Sequence, residues 1–144
     1  MILVDVNVLV YAHREECDQH EEYRRWLEDI WAQQSAYGVC DTVLSGCLRV
    51  LTHPRVFDPP TPLPHALAFI NQVRNQDNAV LVNPGSRHWE IFVDLCKNSN
   101  ARGNLVPDAN LAALAIESGS EWITADRDYA RFPGLSWRHP FFSA

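Results

Sequence analysis

Residues 1–15 read MILVDVNVLVYAHRE, an apolar run interrupted by Asp5 and Asn7. The first five residues, MILVD, have the length and character of a buried central strand that ends on an acid. Asn7 is then placed to cap a short helix through VLVYAHR. An Asp inside such a run is expensive to bury unpaired, so Asp5 calls for backbone amides or a ligand. No basic lead-in precedes the run and no small-residue cleavage pattern follows it. A signal peptide or membrane span is therefore not expected, and the expected compartment is the cytoplasm.

Working outward, helical and strand patterns alternate. Residues 19–34 carry Tyr23, Trp26, Leu27, Ile30 and Trp31 at helical spacing, with charges on the other face. Residues 37–40 read as a strand, and Asp41 or Thr42 as the cap of a helix that stops before His53-Pro54. A proline-rich connector, 54–64, leads to a helix over 65–75, a strand over 79–82 and a helix over 87–97. LVPDANLAALAIESG (105–119) reads as a long helix closed by Gly119, and 121–124 as a last strand running into Ala125-Asp126. Alternation of this kind implies right-handed crossovers and a mostly parallel sheet covered on both faces. The expected fold is α/β, a three-layer α/β/α sandwich, built as one domain over 1–144. At that length it buries roughly two-thirds of its unfolded surface.

Composition adds limits. The chain is 47% hydrophobic and 21% charged, with no repeat and no low-complexity tract. Cys17, Cys40, Cys47 and Cys96 show no pairing that suits a zinc site and are expected reduced and mostly buried. Trp26, Trp31, Trp89, Trp122 and Trp137 are expected mainly in the core. A net charge of −6 argues against broad, sequence-independent duplex binding. Carboxylates acting as metal ligands, or a basic partner, would soften that objection.

In open parallel sheets the ligand site lies beyond the carboxyl ends of the strands. Asp5 and Asp126 fall at such ends, and Asp108 stands at a helix start, one residue after Pro107. Each has an ordinary structural explanation, as a cap, a first-turn charge or an amide-bonded acid. Their convergence would be costly, because unit charges 4 Å apart repel by about 4 kcal/mol at an effective dielectric near 20. A cation would offset that cost. Oxygen ligands without a His or Cys cluster suit Mg²⁺, with Mn²⁺ as an alternative. An ion so held serves phosphodiester hydrolysis.

These residues resemble the PIN-domain ribonucleases, and more narrowly the VapC-type toxins of bacterial toxin–antitoxin pairs. MILVDVNVLVYAHRE is similar to the N-terminal motif of that family, and LVPDANLAALAIESGSEWITADRDYARFPGL to its C-terminal half. VLSGCLRVLTHPRVF resembles the central segment of one VapC subgroup, so the resemblance spans nearly the whole chain. It implies a Mg²⁺-dependent endoribonuclease, the toxin of a type II system, with Asp5, Asp108 and Asp126 as catalytic metal ligands. Asn7 would orient Asp5, Thr124 would bond a ligand or water, and Asp128 would share the role of Asp126. The family places a Glu three residues before an Arg like Arg49, where this chain has Gly46. Asp41 is the nearest acid to compensate. Arg49, Arg102 and Arg127 are candidate RNA phosphate contacts, and His13 a candidate proton donor. A transfer RNA or ribosomal stem-loop substrate, a homodimer and a VapB-like antitoxin are also implied. Two alternatives stay open: a degenerate fold that binds RNA or protein without cutting, and a Mg²⁺-dependent phosphoesterase acting on DNA or small molecules.

Overall fold

The computed structural model describes residues 1–142, and the last two positions of the expected 1–144 domain lie outside the described residues. Strand β1 (Ile2–Val4) leads into helix α1 (Val6–His13), followed by α2 (His20–Ala32) and β2 (Tyr37–Val39). Then come α3 (Asp41–Leu51), α4 (Leu63–Arg74), β3 (Ala79–Leu81), α5 (His88–Ser99) and α6 (Leu105–Ser118). Strand β4 (Glu121–Ile123), a 3₁₀ turn (Arg127–Arg131) and β5 (Trp137–Arg138) are the last elements among the described residues. Among the described residues the sheet has five strands in the order β3-β2-β1-β4-β5, and every pairing is parallel. The α/β/α reading therefore holds, and the sheet is wholly rather than mostly parallel. Among the described residues no helix is long and apolar enough to cross a membrane.

The order places a switch beside β1. The chain builds outward through β2 and β3 on one side, then returns to add β4 and β5 on the other. Val4 lies in register with Ile123, so the residues that follow them, Asp5 and Thr124, emerge side by side at the carboxyl ends. Leu3, Tyr37, Trp122 and Ile123 are almost completely buried beneath. Gly38 is required for this packing: a Cβ there would stand 2.6 Å from Leu3 Cδ2 and 3.2 Å from the Ile2 carbonyl. The long α6 ends as expected, on Gly119 at φ +68°, where the absence of a Cβ removes the steric cost.

Several expectations are corrected. Asp5, not Asn7, caps α1, its carboxylate accepting from the Val6 N–H. Neither Asp41 nor Thr42 caps α3: the cap position is Cys40, which makes no side-chain bond, and Asp41 is the first helical residue. Helix α4 begins at Leu63, earlier than expected, because Pro64 falls in the first turn, where a fixed φ and a missing N–H cost nothing. Strand β5 was not foreseen. The sheet is not fully covered, since Val80 and Leu81 on edge strand β3 are each more than two-fifths exposed. Trp89 is not a core residue: α5 turns His88 and Leu95 inward and leaves Trp89 69% exposed.

Candidate active site at the carboxyl edge of the sheet

Asp5, Asp108 and Asp126 line one open cleft of about 530 Å³ at the switch point, where such folds place ligands. Asp5 arrives from the end of β1, Asp108 from the first turn of α6, and Asp126 from the loop after β4. The opposite wall is α3, contributing Thr42, Gly46 and Arg49.

Asp5 is held from three sides. Its Oδ1 accepts from the Val6 N–H at 2.7 Å, and its Oδ2 accepts from the Thr124 hydroxyl at 2.7 Å. The Asn7 amide donates more weakly to Asp5 Oδ2, at 3.4 Å, and to Thr124 Oγ1, at 3.3 Å. Asn7 Oδ1 in turn accepts from the Ala125 N–H at 3.2 Å, and Thr124 Oγ1 accepts from the Asp126 N–H at 3.0 Å. Asn7 and Thr124 thus tie the loop after β4 to the acid after β1. Thr124, expected to hydrogen-bond a ligand or water, is fully buried and donates its proton to Asp5.

Burial pushes the Asp5 carboxyl up to about 6, against the pull of the Thr124 and Val6 hydrogen bonds, and the charges of Asp108 and Asp126 push the same way. Asp108 is also raised, first by burial, then by Asp126 and Asp128. Asp108 Oδ1 accepts from the Tyr129 hydroxyl at 3.2 Å. Tyr129 is buried against Trp122 and forms part of the cleft floor. The sequence reading missed it. Its only local signal is an aromatic one turn past Asp126.

Among the described residues no Lys, Arg or His lies within 4.0 Å of the Asp5, Asp108 or Asp126 carboxylates. Nor, among those residues, do three donors close on a single point tightly enough to grip an ion together. A buried Asp5 and a half-buried Asp108, both raised chiefly by burial and without a protein cation within 4.0 Å, fit a hard divalent ion. An open arrangement fits one that keeps several waters and takes only one or two carboxylates, as Mg²⁺ does.

The remaining candidates separate. Asp126 spends Oδ1 on capping the turn that follows, accepting from the Asp128 N–H at 2.9 Å. Asp128 is exposed, does not line the cleft and faces Arg131 at 4.0 Å. Asp41 is also outside the lining, paired with Arg74 at 2.9 Å. Arg49 lines the cleft, whereas Arg102 is exposed elsewhere and Arg127 lines a neighbouring pocket. His13 packs against Phe69 with the rings tilted by 37° and their centroids 4.6 Å apart, and it faces a third pocket.

The chain and its fold match known proteins. Residues 2–135 match the PIN domain family. The chain is 44% identical over 140 residues to ribonuclease VapC43 of Mycobacterium tuberculosis, covering 97% of this chain and 95% of the relative. It is 36% identical to ribonuclease VapC25 of the same organism, covering 97% and 99%. Among solved structures, VapBC2 from Rickettsia felis, bound to a fragment of its promoter DNA, superposes with a TM-score of 0.71 at 16% identity, covering 96% and 98%. Mycobacterium tuberculosis VapC20, described as a sarcin–ricin loop cleaving toxin, superposes at 0.64 and 16% identity, covering 94% and 99%. At those identities the superpositions bear on the fold.

Proposed function

The chain belongs to the PIN-domain family, among the VapC ribonucleases, and on that premise we propose that it is a Mg²⁺-dependent endoribonuclease, the toxin of a type II toxin–antitoxin pair. The observation that carries the reading is the meeting of Asp5, Asp108 and Asp126, from three distant segments, in one cleft with no Lys, Arg or His within 4.0 Å of their carboxylates among the described residues.

Asp5 and Asp108 would hold the ion, and Asp126 would assist through its free oxygen or a water. When bound, the ion supplies positive charge to the phosphate and lowers the pKa of a water. The chain does the rest. Val6, Asn7 and Thr124 lock Asp5 in one rotamer, so little ordering cost remains when the substrate arrives. Tyr129 holds Asp108 while leaving its second oxygen free. Arg49 faces the same cleft and would meet phosphate oxygens as charge builds on them. Attack by water on phosphorus opens the bond to O3′, leaving a 5′-phosphate and a 3′-hydroxyl. The substrate would be an exposed single-stranded loop, in a transfer RNA or a ribosomal stem-loop. A VapB-like antitoxin would cover the cleft, whose apolar rim includes Tyr11, Val56 and Phe57, and the toxin would act as a homodimer in the cytoplasm.

One observation favours a second reading. Gly46 leaves the α3 wall without an acid, and such a fold could bind RNA without cutting it. Purified, antitoxin-free protein incubated with total cellular RNA in Mg²⁺, Mn²⁺ or EDTA separates the two. Discrete fragments that need metal and disappear in Asp5→Asn and Asp108→Asn support the nuclease. Intact RNA with either metal, from well-folded protein, sinks it and moves the assignment to the binder.

A further inference from the structure

Beside the acidic cleft, across the loop after β4, lies a second pocket of about 210 Å³ with the opposite character. Thr124 and Ala125 form its inner edge, and Arg127, Trp137, His139 and Phe142 are among its walls. No carboxylate lines it, although the chain as a whole carries −6. The two hollows share one short segment: Asp126 faces the acids and Arg127, the next residue, faces the aromatics. Both lie beyond the carboxyl ends of adjacent parallel strands, since Ile123 pairs with Arg138 and His139 follows directly.

The pocket is built rather than incidental. Phe142 is 67% exposed, a large apolar surface left facing water. Its backbone is nevertheless pinned, the carbonyl accepting from Arg138 Nη1 at 3.0 Å and the N–H donating to the His139 carbonyl at 3.1 Å. Arg138 is itself fixed by Glu121 at 2.8 Å. The His139 ring lies 5.4 Å from the Phe142 ring and is anchored by the Tyr23 hydroxyl at 3.2 Å. Arg127, by contrast, pairs with no carboxylate among the described residues and is exposed. Preset aromatic faces next to an uncommitted guanidinium match a nucleotide, with the base on the rings and the phosphate on the cation.

We propose that this pocket takes one unpaired nucleotide of the RNA next to the scissile phosphate, with its base stacked against Phe142 and Trp137 and its phosphate held by Arg127. The inference rests on the nuclease reading and adds to it a subsite that selects single-stranded over duplex RNA. A base inside a duplex stays stacked on its neighbours and cannot enter. The site thus gives an overall acidic protein a local grip on RNA.

The test measures binding of a mixed-sequence single-stranded RNA octamer in EDTA, by anisotropy and by tryptophan fluorescence, alongside cleavage of total RNA in Mg²⁺. Phe142→Ala and Arg127→Ala are both exposed positions, so the fold should survive. Each is expected to weaken octamer binding about tenfold, within the usual value of one stacked base, while Phe142→Tyr restores it. Tryptophan quenching by the octamer should fall in Trp137→Phe, and a duplex of the same sequence should bind weakly whether or not Phe142 is present. Parental affinity in Phe142→Ala and Arg127→Ala, with RNA still cut by the parent, overturns the subsite and leaves the nuclease standing. Equal dependence of the duplex on Phe142 also overturns it. If those substitutions spare RNA binding but loosen a co-purifying antitoxin, the pocket belongs to a protein partner and the proposal falls. A parent that neither binds nor cuts RNA removes the nuclease reading itself.

Discussion

Thr124 and Asp5, separated by 119 positions in the chain, meet in a 2.7 Å hydrogen bond from hydroxyl to carboxylate. The parallel register of β1 and β4 makes this contact, because Val4 and Ile123 are partners and the next residues, Asp5 and Thr124, leave the two strands side by side. That bond lowers a carboxyl that burial raises. Thr124→Val keeps the shape and removes the donor. It should push the Asp5 carboxyl above 6, move the acid limb of the cleavage–pH profile upward, and cost about 1–3 kcal/mol of stability. Thr124→Ser should restore the pH profile. An unchanged profile in Thr124→Val would show that the hydroxyl does not tune Asp5.

The raised Asp5 also predicts how stability follows pH. The side chain titrates near 6 in the fold and at 3.8 ordinarily. Between these values the fold keeps a proton that the unfolded chain has released, so stability falls as pH rises. Below 3.8 both states are protonated and the penalty is absent; above 6 it is complete, at about 3 kcal/mol for a gap of roughly two units. Asp5→Asn should therefore melt higher than the parent at pH 8 without metal, and lose that advantage near pH 3.5. Mg²⁺ or Mn²⁺ should raise the parent's Tm at pH 8 and leave that of Asp5→Asn almost unmoved. Thermal melts across pH decide it. A variant less stable than the parent at pH 8 would show that the carboxylate is not under strain.

The placement of these acids was legible because it follows from chain order and strand ends. An apolar run closing on Asp5, a second closing on Thr124–Asp126, and a helix opening at Asp108 need no side-chain detail. Contacts made across the sheet could not be read. Tyr129 meets Asp108 only because a 3₁₀ turn folds it back under the cleft. Strand β5 has two residues, Trp137 and Arg138, too short for any alternation to register. Asn7 looked like a cap because its residue type favours caps, yet its amide is committed to Asp5 and Thr124 while Asp5 takes the first helical N–H. Trp89 faces outward for a reason invisible in one helix, namely which side of α5 meets α6.

Tyr129→Phe isolates the second acid. The ring stays packed against Trp122, and only the hydroxyl that donates to Asp108 is lost. Because that hydrogen bond lowers the Asp108 carboxyl, its removal should raise the carboxyl further. Folding should weaken by about 1 kcal/mol. Cleavage should slow several-fold in kcat with little change in KM, since Tyr129 holds an acid rather than the RNA. A rise in KM alone would place Tyr129 in substrate binding instead.

Asp41 gives the contrasting case. Its carboxylate is exposed and paired with Arg74 outside the cleft lining, and exposed ion pairs contribute little. Asp41→Asn should leave both cleavage and metal affinity at parental values. A loss of metal-dependent cleavage would show that α3 shifts to bring Asp41 into the site when the ion binds.

Gly46 offers the sharpest test of what the α3 wall lacks. A Cβ at this position would stand 3.1 Å from Val6 Cγ2, closer than comfortable packing allows. Val6 must therefore give way before any side chain can enter from here. Gly46→Glu alone should gain helix propensity, at most about 1 kcal/mol, but lose more to that contact and to repulsion from Asp5 and Asp108. Its Tm without metal should fall. Pairing it with Val6→Ala removes the obstructing methyls, leaving the added charge as the main cost, and an ion can offset that cost. In the double variant Mn²⁺ should bind several-fold more tightly by calorimetry, and its stabilising effect on Tm should exceed that in the parent. Unchanged Mn²⁺ affinity in a folded double variant would mean that position 46 does not address the ion. The missing acid would then be irrelevant to metal binding in this chain.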